Sequence, residues 1–132
     1  MATYLWIALG GALGSMARYA STNLVAGWLG GRFPWGTLLI NILGSLVIGA
    51  FGALTGPGGR LFVSNDLRLF VMVGICGGYT TFSSFSLQTL DLIHEGAMGR
   101  AGLNVVGSVA LCMLAVWIGY LAATALNAAK AA

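Results

Sequence analysis

Long stretches without charged side chains limit what this chain can fold into. Residues 1–31 contain only Arg18, and residues 33–59, 69–90 and 101–129 contain no charge at all. A membrane-spanning helix needs about 20 mostly apolar residues, and every backbone polar group in lipid must be satisfied within the protein. Strand-like alternation is absent, so helices are expected. We predict an all-α integral membrane protein in which residues 1–132 form one domain of four transmembrane helices, at about 3–26, 35–55, 67–93 and 101–126.

Composition agrees with a bilayer as the solvent. Only 7% of the residues are charged and 58% are hydrophobic, whereas a soluble domain has about 25% charged residues. The net charge of +3 comes without any Lys/Arg cluster, so no nucleic-acid partner is expected. Cys76 and Cys112 lie in apolar runs and the single histidine, His94, has no ligand at metal spacing. We therefore expect neither a disulfide framework nor metal ligation by these side chains.

The distribution of basic residues hardly indicates which way the chain is oriented in the membrane. Four spans put both termini and the second loop on one side of the membrane. The basic residues divide almost evenly: Arg60, Arg68 and Lys130 lie on that side, and Arg32, Arg100 and Arg18 lie on or near the other. The positive-inside rule depends on an excess on one side. Two interpretations stay open, an orientation set by other features or dual-topology insertion with assembly as an antiparallel homodimer.

Small residues recur four positions apart in three of the predicted spans. The pairs are Gly10 with Gly14, Ser45 with Gly49, and Gly74 with Gly78. Such spacing lets helix backbones approach closely in a membrane. We expect tight helix packing, across an oligomer.

Polar side chains form stripes inside the spans. Thr37, Asn41 and Ser45 share one face of span 2, because residues four apart lie on the same side of a helix. Asn104, Ser108 and Cys112 do the same in span 4, and span 3 carries seven polar residues around Phe82 and Phe85. The stripes are typical either of hydrogen bonds between helices or of a lined polar path.

Carboxylates are missing from the centre of every span. A proton-coupled exporter of organic cations would need one there, which disfavours that class of transporter. Hydroxyl and amide groups donate hydrogen bonds to anions, and the edge of a phenylalanine ring is its positive part. The path is therefore better suited to an anion, and Phe82 and Phe85 are either ordinary packing residues or part of it.

Residues 77–81, Gly-Gly-Tyr-Thr-Thr, predict an interruption of span 3 in the middle of the membrane. Non-helical backbone at this depth is tolerated only where protein or water surrounds it. Carbonyl groups released from a helix can coordinate a small cation. We expect the break to be an ion site that meets its own copy across a symmetry axis.

Three motifs resemble the Fluc/CrcB family of fluoride ion channels, in order and spacing along the whole chain. They are Gly10-Gly-Ala-Leu-Gly14 with Arg18-Tyr19, Gly36-Thr37-Leu-Leu-Ile-Asn41 with Gly44-Ser45 and Gly49, and Gly74-Ile-Cys-Gly77-Gly78-Tyr-Thr80-Thr81-Phe82-Ser83-Ser84-Phe85-Ser86. The third motif is the specific one. Span 4 departs from the family, which often has Tyr at the position of Asn104 and Ser or Thr at that of Cys112. Asn104 is then expected to offer an amide donor in place of a phenol.

The resemblance implies an antiparallel dual-topology homodimer with two fluoride pores and a structural Na⁺ at the dimer centre. It implies that backbone carbonyls of Gly77 and Thr80 hold the Na⁺, and that Arg18 attracts anions in a vestibule. The residues implied for the fluoride path are Asn41, Phe82 and Phe85 as contacts, with Thr37, Ser83, Ser84 and Ser108 as hydroxyl donors.

The function that the resemblance implies is passive export of F⁻ across the cell inner membrane, where the chain is a multi-pass protein. Passive conduction involves no enzyme chemistry, so no catalytic residue is expected. Two other classes of function stay open at this point. One is a small dimeric multidrug-type transporter of organic cations, and the other is a structural subunit of a larger complex.

Overall fold

The computed structural model describes residues 1–131, in which all regular structure is helical. Lys130, counted above among the basic residues, lies outside the side chains that it describes. The helices are α1 Ala2–Leu29, α2 Trp35–Thr55, α3 Asn65–Leu69, a π-helical stretch Phe70–Cys76, α4 Gly77–Tyr79, α5 Phe82–His94 and α6 Met98–Ala131. The elements from α3 to α5 follow one another closely, and we call Asn65–His94 the broken helix.

Three helical segments are long and apolar enough to cross a membrane. Among the residues described they are Trp35–Thr55, Asn65–His94 and Met98–Ala129. Helix α1 has 28 residues but is not one of them, because Arg18 and its many Gly, Ser and Thr residues lower its mean hydropathy. The expected all-helical membrane architecture is thus supported by three apolar segments.

Contacts at the two ends of the molecule show that successive long helices alternate in direction. At one end the Thr3 hydroxyl donates to Asp66 Oδ1 at 2.9 Å, and Arg60 donates to the carbonyl oxygen of Leu126 at 3.5 Å. At the other end Arg100 Nη1 donates to the carbonyl oxygen of Arg32 at 2.6 Å. The loop 56–64 therefore lies beside the N-terminus of α1 and the last turns of α6.

The glycine pairs of spans 1 and 3 pack against each other within one chain. A Cβ atom on Gly10 would lie 2.9 Å from the Cα of Gly74, and one on Gly78 would lie 2.6 Å from the carbonyl oxygen of Gly11. A Cβ on Gly14 would overlap the carbonyl oxygen of Ile75. The expected tight packing at these pairs is therefore present within one chain, as backbone-to-backbone approach of α1 and the broken helix.

Helices α2 and α6 form the other closely packed pair. A Cβ atom on Gly49 would overlap the carbonyl oxygen of Val116, and one on Gly119 would overlap that of Leu46. The two residues of the Ser45–Gly49 pair therefore have different surroundings. Gly49 packs against α6, whereas Ser45 faces a groove described below.

The interruption of the broken helix is shorter and later than the sequence predicts. Gly77–Tyr79 is helical, and only Thr80 and Thr81 leave the helix, with extended backbone at both residues. Gly78 instead provides the close contact with α1. The stretch before the break, Phe70–Cys76, is π-helical, which the sequence analysis did not predict. π-Helical turns are rare and frequent at functional sites.

Candidate functional site

The side chain of Asn41 holds the break in place. Its Nδ2 donates to the carbonyl oxygen of Thr81 at 3.0 Å, and its Oδ1 accepts from the Thr81 N–H at 2.8 Å. One amide therefore pairs with the Thr81 N–H, which the break leaves without a helical acceptor. It also adds a second bond to the Thr81 carbonyl, which as the N-cap carbonyl accepts the first intrahelical bond of α5. An unpaired backbone group at membrane depth costs several kcal/mol, so the bonds from Asn41 stabilise the break within the lipid bilayer.

Thr81 begins the second half of the broken helix. Its side-chain oxygen accepts from the N–H of Ser84 at 3.2 Å, which is the usual N-cap arrangement. The same oxygen lies 3.2 Å from the Ser83 hydroxyl and 3.1 Å from that of Ser84. Three hydroxyl groups, two of them predicted path residues, are thus gathered at the first turn of α5.

The break leaves the backbone carbonyl groups of residues 77–80 without their helical partners, and those of Gly77 and Thr80 are among them. In a continuous helix the N–H of Thr81 would bond to the carbonyl of Gly77, and the N–H of Ser84 to that of Thr80. Here those two N–H groups are donated to Asn41 and to the Thr81 side chain. The carbonyls of Gly77 and Thr80 therefore lack their helical partners, at the two positions where the resemblance implies Na⁺ ligands.

A cavity of about 400 Å³, the central groove, lies beside the break. It is bounded by α2, the broken helix and α6, and its polar lining is Asn41, Ser45, Thr80, Thr81 and Ser108, with Gly77, Phe82 and Phe85. The Phe82 side chain is 76% exposed while that of Phe85 is buried. The two ring centroids are 5.2 Å apart with the planes at 51°.

A second cavity of about 370 Å³, the Arg18 cavity, lies on the other side of Thr81. Arg18, Thr37 and Ser84 line it, and Thr81 contributes to the walls of both cavities. The predicted stripe on α2 therefore faces two spaces in turn, with Thr37 at the Arg18 cavity and Asn41 at the central groove. The sequence pattern did not indicate this division.

The polar stripe on α6 joins helices as well as lining the groove. Asn104 is only 1% exposed, and its Nδ2 donates to the Thr89 hydroxyl at 2.8 Å. Ser108 donates weakly to Asn104 Oδ1 at 3.4 Å and is the member that reaches the central groove together with Cys112. The expected amide donor at Asn104 is thus used between α5 and α6 and does not line the groove.

Two residues of the site were not selected from the sequence. Thr81 belongs to the polar residues of span 3 and to the third motif, and neither pattern assigns it a role, although a threonine preceding Phe-Ser-Ser is a good N-cap pattern. Gln88 lines the Arg18 cavity and a further cavity of about 420 Å³ that opens towards Arg32 and Glu95. The spacing of Ser84 and Gln88, four residues on one helix face, is the signal that would have found it.

Electrostatically the two inner cavities are neutral or positive. Among the residues described, the linings of the central groove and the Arg18 cavity contain no Asp or Glu. Asp91 and Glu95 line the further cavity beside Arg32, and Glu95 also lines a space beside Arg100, both outside the two inner cavities. Hydroxyl groups, an amide, ring edges and one guanidinium can together accommodate a small anion, whereas an organic cation would find no counter-charge.

Residues 5–120 match the family described as CrcB-like protein, Camphor Resistance (CrcB). The chain belongs to the CrcB family. A "Fluoride-specific ion channel FluC" of Opitutus terrae is 58% identical to this chain over 130 residues, and the matched region covers 98% of each chain. The protein of the same name from Rhodospirillum rubrum is 60% identical over 125 residues, covering 95% of this chain and 97% of its own. One from Methylocella silvestris is 58% identical over 129 residues.

These similarities confirm the family that the three motifs predicted. They also agree with the three apolar helical segments, so the chain is a multi-pass protein of the cell inner membrane, as expected. They give no support to the organic-cation transporter that the sequence analysis left open.

Proposed function

We propose that this chain is a fluoride-selective ion channel that lets F⁻ leave the cell passively and so lowers cytoplasmic fluoride. The observation that carries the proposal is the pair of cavities that meet at Thr81, lined by donors and free of carboxylates among the described residues. Relatives at 58–60% identity over nearly the whole chain bear the name of a fluoride-specific ion channel. Passive conduction requires no catalytic residue.

Selectivity follows from the cost of dehydration. Fluoride is small and strongly hydrated, so it enters a narrow path only where donors replace its water. Thr37, Ser84 and Ser108 supply hydroxyl donors along the two cavities, and the edges of Phe82 and Phe85 supply weakly positive surface in the central groove. Chloride, which is larger, gains less from donors spaced for fluoride.

We further propose that α1 is a fourth transmembrane helix. Its glycines contact the broken helix over the stretch from Phe70 to Tyr79, so the two helices share the same membrane depth. At about 1.5 Å per residue, 28 residues are long enough to cross a bilayer. Arg18 faces a polar cavity, which removes the main objection to a charge within the span.

The groove also supports the proposal of an antiparallel dual-topology homodimer. The exposed Phe82 ring and the carbonyls of Gly77 and Thr80 border a surface at mid-membrane depth, where lipid cannot satisfy polar backbone. A second copy would cover that surface. The even division of basic residues between the two ends is compatible with insertion in both orientations.

A Na⁺ ion at the centre of such a dimer fits the carbonyl oxygens that the break leaves free to act as ligands. Backbone carbonyls are the ligands that small hard cations take, and the described residues contain no cluster of three His, Cys, Asp or Glu side chains that would compete. When bound, the ion would link two copies by its charge. We expect replacement of Na⁺ by N-methyl-D-glucamine to lower the thermal midpoint of the purified dimer; an unchanged midpoint would contradict this assignment.

Fluoride efflux from liposomes containing the purified protein tests the function directly. We expect rapid efflux recorded by a fluoride electrode, and no chloride efflux above that of empty liposomes. Equal chloride flux, or no fluoride flux, would refute the proposal. Transport of organic cations coupled to protons would instead support the multidrug-type alternative.

A Phe82→Ile variant separates a channel from a purely structural subunit. In the channel the exposed ring borders the path, so its loss is expected to reduce fluoride efflux while leaving the protein folded and dimeric. A structural subunit would lose assembly and leave every measurable transport unchanged.

A further inference from the structure

The central groove leads to another cavity at the end of the molecule that carries the loop 56–64. This Arg68 cavity has a volume of about 550 Å³. Ile48 belongs to the walls of both spaces, so they adjoin along α2. Met72 and Cys76, which follow Arg68 along the broken helix, line the central groove. One helix thus carries the cationic residue at one space and the lining of the next.

Arg68 lines this cavity, and one donor of its guanidinium has no acceptor in the part of the chain that the structure describes. Its Nε atom is fully buried and makes no hydrogen bond with the residues described. Among those residues the cavity lining contains no carboxylate, and its polar side chains besides Arg68 are Tyr120, Thr124 and Asn127. Asn127 is already used, since its Oδ1 accepts from the Arg60 N–H at 3.1 Å and its Nδ2 donates to the Ala53 carbonyl at 3.1 Å.

A partly buried cation without a counter-charge is an attractor for anions. Arginine stays charged at all accessible pH values, and removing it from water is costly unless an acceptor compensates. A cavity with one sign of charge and apolar walls focuses that field and raises the local concentration of the opposite ion. Gly49, Gly52 and Ile48 provide such walls.

We infer that the Arg68 cavity is a second anion-attracting mouth of the path, which holds a small anion such as fluoride at the end opposite the Arg18 cavity. This inference rests on the proposed function. It gives each end of the path one guanidinium, with the neutral Thr81 region between them. Anions would gather at either end before they lose their water in the narrower middle.

Single-channel or efflux measurements on Arg68→Gln test the inference, with Arg60→Gln as the matched control. Arg60 lies at the same end but bonds to Leu126 and does not line the cavity. Electrostatic steering changes encounter rates by roughly ten-fold or more. We expect Arg68→Gln to lower fluoride current about ten-fold at low fluoride and low ionic strength, less at high salt, with Arg68→Lys close to wild type. Arg60→Gln should stay within about two-fold, as for an exposed, screened charge.

If the wild-type protein carries no fluoride current, the proposed function is refuted and the inference with it. If the wild-type protein conducts fluoride but Arg68→Gln and Arg60→Gln change the current equally, the inference alone is refuted. A current loss independent of fluoride concentration, but dependent on the anionic lipid content of the liposomes, would assign the cavity to a lipid phosphate and overturn it. If Arg68→Gln does not fold, Gly52→Asp places a carboxylate in the same cavity.

Gly52 accepts a side chain, because a Cβ atom there meets only the Met72 methyl carbon at 3.5 Å. Gly52→Asp is expected to reduce the current as Arg68→Gln does, by cancelling the charge of Arg68. Gly52→Ala measures the effect of added volume alone. Equal currents in the two Gly52 variants would overturn the inference.

Discussion

The two halves of the broken helix are held by different kinds of contact. Before the break, Gly74 and Gly78 lie against the backbone of α1 at distances that leave no room for a side chain. After the break, α5 is held by side-chain hydrogen bonds, from Thr81 at its start and through Thr89 to Asn104 further along. The first half is therefore fixed by shape and the second by donors and acceptors.

This difference indicates different roles for the two halves of the broken helix. Close backbone packing tolerates no added atoms but also offers no groups to a ligand, which suits a scaffold. Hydroxyl and amide groups around α5 border the two cavities and can exchange a protein partner for an ion. Substitutions in the first half are expected to act on folding, and those around the second half on conduction as well.

The largest effect is expected from Gly14→Val. The new side chain would overlap the carbonyl oxygen of Ile75, and overpacking of this kind costs about 1–3 kcal/mol or more. We expect loss of the monodisperse peak in size-exclusion chromatography. Gly11→Val is the control, since nothing lies within 4 Å of a Cβ atom there. If both variants behaved like wild type, the first half would not depend on backbone approach.

Asn41→Leu is expected to have the next largest effect, on stability and conduction together. It removes the acceptor of the Thr81 N–H, at about 1–3 kcal/mol for an unpaired buried group, and one of the bonds to the Thr81 carbonyl. We expect a lower thermal midpoint and fluoride efflux reduced by at least ten-fold. Ser45→Ala, one turn further along the same groove wall, should change stability little. An Asn41→Leu protein as stable as wild type would remove the distinction between the halves.

Thr81→Val should have the smallest effect of the three and sharpens the comparison. It removes the N-cap acceptor of α5, worth about 1 kcal/mol, while keeping the shape. Thr81→Ser keeps the acceptor and is expected to restore stability and efflux. Equal thermal midpoints for the two variants would show that the cap does not hold α5.

The sequence predicted the helices and the family, but not how the polar residues are used. Charge-free runs set the spans because lipid excludes charge. The division of Thr37 and Asn41 between two cavities, and the use of Asn104 between helices, depend on which helices become neighbours. The position of the break also depends on a neighbour: Gly77 and Gly78 are weak helix formers, yet they stay helical, and the chain leaves the helix where Asn41 can satisfy Thr81. Such long-range pairings are not encoded in local propensity.

The pairing of Asn41 with Thr81 also has a consequence for biogenesis. The two residues are 40 positions apart in the chain, and local sequence around Thr81 offers its backbone no equivalent partner. Lipid penalises unpaired backbone, so the segment enters the bilayer most cheaply as an uninterrupted helix. Asn41 lies on α2, which precedes the broken helix in the chain, so the break can form once the two segments lie side by side in the bilayer. The break is thus a product of helix assembly and not of the insertion of a single segment.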